Sequence, residues 1–328
     1  SVEDGIHLLR RARNEHFYLA VGLHKPHLPW QASSEDFSKH PLESVSLPTH
    51  PLPPKGMPDI AFHFTDEHAK GHDSPWTPVS DDDMRAARRA YRAATTGMDR
   101  KLGKLLDELD NLGIRNNTAV ILHGDHGWQL GEHGEWRKMT NFETAARVPL
   151  IISAPWLNSP RRSTGLVELV DLVPTIAELA GLSLPEDETF DGVSLVPVLK
   201  KQTNAVKTAA FSQYPRAASN PTKLWKSNSA IHTPREAFTH MGYSIRTDDW
   251  RYTEWVEWNG TTLSPTWSRL AGQELYDHRN ELAYPTDFDA RENENLASHP
   301  KHAALVANLS DMLRQQFSSS GVEDIVVV

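Results

Sequence analysis

Cysteine is absent from all 328 residues, which removes disulfide frameworks, thiolate zinc sites and a cysteine nucleophile from within this chain. No stretch approaches the ~18 consecutive apolar residues that a membrane-spanning helix needs. A charged-then-apolar leader is missing as well, and position 1 is Ser rather than Met; the expectation is a chain whose beginning has been cut. Positive charge is not in excess: the formal net charge is −9 and the pI is near 6.0. Such a surface has no global basic field for nucleic acid or an anionic membrane, so an anionic substrate has to be captured locally. Neither internal repeats nor low-complexity tracts stand out. Three sequons, beginning at Asn116, Asn259 and Asn308, are weak support for secretion, because a chain of this composition produces a few by chance.

What is present is an ordered alternation of apolar patterns. Phe17 to Leu23 reads as a buried strand followed by the proline-stiffened loop His24-Lys25-Pro26-His27-Leu28-Pro29. From about Pro41 to Pro78 periodicity is lost, which predicts irregular chain over the surface or over a site. Met84, Ala87, Tyr91, Ala94, Met98, Leu102, Leu105, Leu109 and Leu112 recur at three and four, with Ser80 as cap and Gly113 past the end, so 82–112 is predicted helical. The run of Arg85, Arg88, Arg89 and Arg92 is expected to coat its outer face. Strands are predicted at 118–122 and 148–154, and a helix at 168–182 in which Pro174 costs an internal hydrogen bond. Alternating strand and helix imply a mostly parallel sheet flanked by helices. After about Lys200 the aromatic-rich, alternating segments suggest antiparallel strands, closed by a helix over 302–317.

Chemistry concentrates where the strand at 118–122 ends, in Gly124-Asp125-His126-Gly127-Trp128-Gln129-Leu130-Gly131-Glu132-His133-Gly134-Glu135-Trp136-Arg137-Lys138. Ligands of open α/β sheets bind at such strand ends. A carboxylate and an imidazole on adjacent residues between two glycines can face one ion if the backbone turns sharply. Lysine supplies a compact charge for a tetrahedral oxyanion. Each feature also has a plainer reading: a capped turn for Asp125-His126, solvated loop residues for Lys25 and His27, a covered core edge for Trp128 and Trp136. The pair His68 and His72 hints weakly at zinc, with no third ligand evident.

These residues resemble the sulfatases, and within them the group of iduronate-2-sulfatase and its bacterial relatives. The resemblance is carried by Gly124 to Lys138, Asn141-Phe142, Val148-Pro149-Leu150-Ile151, Leu19 to His27, Leu166 to Asp171, Ser212-Gln213-Tyr214-Pro215-Arg216 and Met241 to Thr253, all in the family's order. It implies an alkaline-phosphatase-like α/β fold incomplete at its amino terminus, with 1–200 as the remainder of the catalytic domain and 201–328 as a carboxy-terminal antiparallel sheet-plus-helix subdomain. It further implies Asp125 and His126 as metal ligands, Lys138 holding sulfate, and His27 contacting the sulfate or leaving oxygen. Lys25 and Trp128 are expected to face the substrate. The ion is expected to be calcium, with magnesium or manganese open because imidazole is an unusual ligand for a hard ion.

The family's nucleophile is a formylglycine made from Cys or Ser in a Cys/Ser-x-Pro-x-Arg motif. Ser219-Asn220-Pro221-Thr222-Lys223 ends in lysine instead, so the chain by itself is expected to be inactive and to bind metal weakly. Arg246 or Arg251 either pairs with a substrate carboxylate or braces the subdomain through buried carboxylates. The expected partner is a sulfated carbohydrate, without nucleic acid or membrane, and with an amino-terminal companion chain as an option. The expected location is outside the cytosol: lysosomal, periplasmic or secreted. A phosphate-ester or phosphonate hydrolase of the same superfamily, or a non-catalytic sulfatase fragment, are the alternatives.

Overall fold

The structure, a computed structural model, describes residues 1–65, 74, 76–157, 162–228, 230–279 and 291–319. In chain order the elements are α1 (Val2–Ala12), α2 (Ser34–Ser38), α3 (Asp81–Asn111), β1 (Val120–His123), β2 (Gln129–Leu130), β3 (Trp136–Arg137), α4 (Glu143–Ala146) and β4 (Leu150–Ser153). There follow α5 (Leu172–Ala180), α6 (Val196–Leu199), β5 (Ala209–Ala218), β6 (Ser227–Asn228), β7 (His240–Thr247), β8 (Trp250–Asn259), β9 (Ser264–Asp277) and α7 (Ala303–Ser319). No helix among the described residues is long and apolar enough to cross a membrane. His68 and His72 lie outside the described residues.

Contacts gather the chain into two compact units: 1–48 with 79–123 and 149–160, and 49–78 with 124–148 and 161–328. Residue 200 lies within the second. In the first unit, α3 starts where predicted because the Ser80 side chain accepts from Asp83 N at 3.2 Å and three aspartates open its first turn. It ends before Gly113, whose φ is +69°. α1 packs closely on α3 at Gly5, where a Cβ would lie 3.2 Å from Leu105 Cδ1, and the Arg10 fork on Glu108 adds bonds of 2.7 and 3.1 Å. Arg85, Arg88, Arg89 and Arg92 of α3 depart from the expected solvent coat: they are half-buried, and Arg89 donates to His40 O at 2.8 Å while its guanidinium covers the Phe37 ring. An arginine stem is apolar and packs wherever a neighbouring loop covers it.

Two further expectations are corrected in this unit. β1 and β4 pair with each other antiparallel, Val120 opposite Ser153 and His123 opposite Leu150, and the parallel sheet is not formed among the described residues. A parallel crossover needs a substantial connection, usually a helix; between these strands lie only two-residue strands and the single turn of α4, so the chain simply returns. Phe17 to Leu23 belongs to no ladder among the described residues and alternates between half-buried and exposed.

The second unit is organised by a five-stranded antiparallel sheet in the order β6-β5-β7-β8-β9. Because side chains alternate across a strand, β8 serves two cores. Tyr252 and Val256 pack with Ile245 and Leu275 beneath Leu309 and Leu313 of α7, whereas Trp255 packs with Ile60, Phe62, Phe142 and Tyr276. Ile60 to Phe62 are thus core, within the stretch 41–78 expected to lie over the surface or over a site; without helical or alternating periodicity a core loop cannot be told from a surface one. In the predicted 168–182 helix, a 3-10 turn over 169–171 precedes α5. Pro174 therefore falls in the first turn of α5, where its missing N–H costs nothing.

Candidate active site

Gly127 shapes the polar segment. Its N donates to Ala145 O at 2.7 Å, and a Cβ there would stand 2.0 Å from Thr144 O, so only glycine admits this approach. The segment then reverses through Gly131, His133, Gly134 and Arg137, all with positive φ. β2 and β3 close this loop antiparallel, with Gln129 opposite Arg137 and Leu130 opposite Trp136. The reversal folds Lys138 back onto the residues that follow β1.

The result is a small charged constellation. Lys138 Nζ lies 2.9 Å from His126 Nε2, and His126 Nε2 lies 3.4 Å from Asp125 Oδ2. His126 Nδ1 is 2.8 Å from Gly127 O. A carbonyl only accepts, so Nδ1 carries the proton and Nε2 presents its lone pair to the ammonium, an assignment made from the hydrogen-bond network. Trp128 flanks both: its ring is 6.3 Å from the His126 ring, and Lys138 Nζ stands 5.8 Å from the indole centroid. Asp125 is open, with 83% of its side chain exposed. Partial burial pushes the Lys138 ammonium below the usual lysine range, and Asp125 draws it partly back. The structure thus brings Asp125, His126, Trp128 and Lys138 together.

Lys25 and His27 belong to the first unit. Lys25 donates to Pro29 O and, at 3.3 Å, to His27 O, while His27 Nδ1 is 2.9 Å from Leu28 O and its ring centroid is 5.1 Å from that of His24. Arg246 lies on β7 in a different setting, buried, with Nε donating to Glu143 Oε2 at 3.3 Å. Arg251 donates through Nε to Glu292 Oε1 at 2.6 Å and through Nη2 to Glu143 Oε2. His278 Nε2 is 3.2 Å from Glu292 Oε1, and Arg147 reaches Glu143 Oε1 at 3.3 Å. Burial, the largest single influence, pushes both carboxylates up, but Arg251 together with Arg246 and His278 at Glu143, and with His278 and His133 at Glu292, outweighs it and holds both below the usual range. Sequence reasoning foresaw the arginines and missed Glu143, His278 and Glu292; the one local signal was the i, i+4 pair of Glu143 and Arg147.

Two donor sets bear on a metal ion. Glu143, His278 and Glu292 offer three ligand atoms within 4.8 Å of one another, yet two guanidinium groups already neutralise those carboxylates, so the set fits a closed ion-pair cluster better than a divalent ion. Asp125 fits as part of a metal site, its carboxylate open to solvent; His126 fits only once its Nε2 lone pair, which here faces the Lys138 ammonium, is released, because Nδ1 carries the proton. They are two ligands where calcium takes six to eight.

Comparison with known proteins adds a family. A family model described as Sulfatase matches residues 2–182, and one described as N-sulphoglucosamine sulphohydrolase, C-terminal, matches 131–319. Iduronate 2-sulfatase of Mus musculus is 32% identical over 361 residues, covering 94% of this chain and 63% of that protein. Its Homo sapiens counterpart is 34% identical over 328 residues, covering 84% and 59%. The chain thus spans about three fifths of the length of these curated relatives. Among solved structures, the phosphonate monoester hydrolase SpPMH from Silicibacter pomeroyi superposes with a TM-score of 0.69 over 98% of this chain and 60% of its own, at 22% identity. A likeness at that identity bears on fold alone. The fold is the alkaline-phosphatase-like one of the sulfatases, with a carboxy-terminal antiparallel sheet and helix.

Proposed function

Because the chain belongs to the sulfatase family, we propose that it is the sulfate-holding part of a sulfuric ester hydrolase acting on a sulfated sugar, as a 2-sulfate on a uronic acid of a glycosaminoglycan. The observation that carries this reading is the approach of the Lys138 ammonium to His126 Nε2 at 2.9 Å beside the open Asp125 carboxylate. The ammonium is partly desolvated, so an anion that displaces its remaining water meets an undiluted charge. His126, holding its proton on Nδ1, keeps Nε2 as an acceptor that orients the lysine. Trp128 supports the sugar ring beside them. Arg246 bears on the substrate only through the segment it braces.

Asp125 and, once its Nε2 is released from Lys138, His126 would hold the family's divalent ion, calcium or else magnesium or manganese, which when bound supplies Lewis-acid stabilisation of the sulfate oxygens. Formylglycine chemistry requires a Cys or Ser in the family's motif, and these 328 residues hold no cysteine; the proposal for the chain alone is sulfate binding without turnover. An amino-terminal companion would complete the site, and the setting is extracytoplasmic.

The test is calorimetric titration of the chain with inorganic sulfate, with Lys138→Met alongside. Binding that the variant loses supports the reading. Failure of the unsubstituted chain to bind sulfate, or hydrolysis of an aryl sulfate well above buffer by the chain alone, overturns it.

A further inference from the structure

The segment that delivers Lys138 is bent against its own preference. Arg137, immediately before it, has φ +67°, in the left-handed region that an arginine adopts only when its surroundings impose it. Both ends of the bend are tied to the same stretch of core loop. Upstream, His63 N donates to Glu135 Oε1 at 3.1 Å. Downstream, Arg216 Nη1 donates to Met139 O at 2.9 Å, while Nη2 of the same guanidinium donates to Ala61 O at 2.8 Å and Nε to Ile60 O at 3.1 Å.

Arg216 is an expensive way to make such a tie. It is fully buried, its guanidinium is 4.6 Å from the Trp255 ring centroid and 5.3 Å from that of Tyr214, and its hydrogen bonds go to backbone carbonyls. An apolar side chain would fill the same volume without the desolvation. What it would lack is the planar fork that reaches Met139 O and the 60–61 carbonyls together, which a lysine point charge also lacks.

We propose that Arg216 is a positioning residue for the anion-holding pair: by clamping Met139 O to the 60–61 backbone it maintains the Arg137 bend and, through it, the reach of Lys138 to His126 Nε2. The functional meaning of the clamp rests on the reading of Lys138 given above, but the geometry is measured without sulfate.

The experiment follows the His126 side-chain Nε2 resonance by 15N NMR in the full chain, with a chelator present. Lys138→Met marks the position of that resonance with no ammonium nearby. Arg216→Lys and Arg216→Gln, compared as cooperatively folded proteins, are expected to move the resonance at least halfway toward that mark. Leu313→Ala, a buried change on α7, tests for general loosening and is expected to leave it in place. Adding Arg137→Gly to Arg216→Lys removes the strain of the bend and is expected to restore part of the shift. An unchanged resonance in Arg216→Lys overturns the inference, as does an equal shift in Leu313→Ala or no recovery with Arg137→Gly. Sulfate affinity, measured in parallel, is expected to fall about tenfold in Arg216→Lys. A chain that binds no sulfate yet shows these resonance shifts refutes the functional reading and leaves the clamp standing; sulfate binding with an unmoved resonance does the reverse.

Discussion

Around Glu143 and Glu292 all four carboxylate oxygens accept hydrogen bonds and the charges balance out of water, whereas around Lys138 the ammonium leans on a neutral imidazole and the nearest carboxylate faces solvent. Both groupings combine carboxylate, imidazole and cationic side chains in the same unit. The first has no capacity left for a ligand, because any newcomer would have to break a desolvated ion pair. The second is unsaturated and partly open, and its charge can be completed by an anion on one side and a cation on the other. Saturation, more than residue identity, separates a brace from a site.

The sharpest way to break that contrast is Arg251→Met. Removing the guanidinium leaves two buried carboxylates short of a partner, and the unfolding free energy is expected to fall by ~3–5 kcal/mol in a urea titration. A loss under ~1 kcal/mol would mean that the network is not the brace described. On the site side, Gly127→Ala puts a methyl group into the Thr144 carbonyl. A cost of ~1–3 kcal/mol is expected, together with weaker sulfate binding, since Asp125 and His126 must shift with it; unchanged affinity would count against a preorganised pair.

A third substitution concerns the anchor of the Lys138 loop. Burial pushes the Glu135 carboxyl up to about 8, against the pull of Arg216. Glu274, held in place by Trp255 and Tyr276, is pushed up to about 6 by the same cause. At these two carboxyls the folded chain therefore binds more protons than the unfolded chain between the ordinary carboxylate range and about pH 8. The linked stability is present below that window and is lost as pH rises through it. Thermal midpoints should decline from pH 5 to 8, and Glu135→Gln should flatten the decline and raise the midpoint at pH 8 by roughly 2–4 °C, the size of ~1 kcal/mol in a folded domain of about this size. A Glu135→Gln profile parallel to the unsubstituted one would remove Glu135 from the account. The smallest expected effect is that of Asp125→Asn. With its carboxylate exposed, stability should change by less than ~0.5 kcal/mol, while calorimetric binding of calcium or manganese, weak at the outset, should disappear. Undiminished ion binding would shift attention to another donor set.

The site segment could be located before any coordinates because its glycines, its imidazole and carboxylate, and its lysine all lie between Gly124 and Lys138, and a loop of that length can only close on itself. The long helix was legible for a related reason: Met84 to Leu109 keep helical spacing, and helical spacing is a local property. Arg246 and Arg251 were visible as candidates, but their partners were not, since Glu143 stands more than a hundred residues away from either. The pairing of β1 with β4 was misread for the same cause, because a local pattern of strand and helix does not carry strand direction.

The amino-acid sequence by itself determined the family, the helices with strong periodicity and the cluster that holds Lys138 against His126, because each is encoded in neighbours along the chain. Only the tertiary structure decided which charges are consumed as bracing, that Ile60 to Phe62 are core, and that Arg216 clamps the Lys138 loop. Burial and pairing of that kind arise between residues far apart in the chain, and the energy of a charge depends on the surroundings that folding assembles around it.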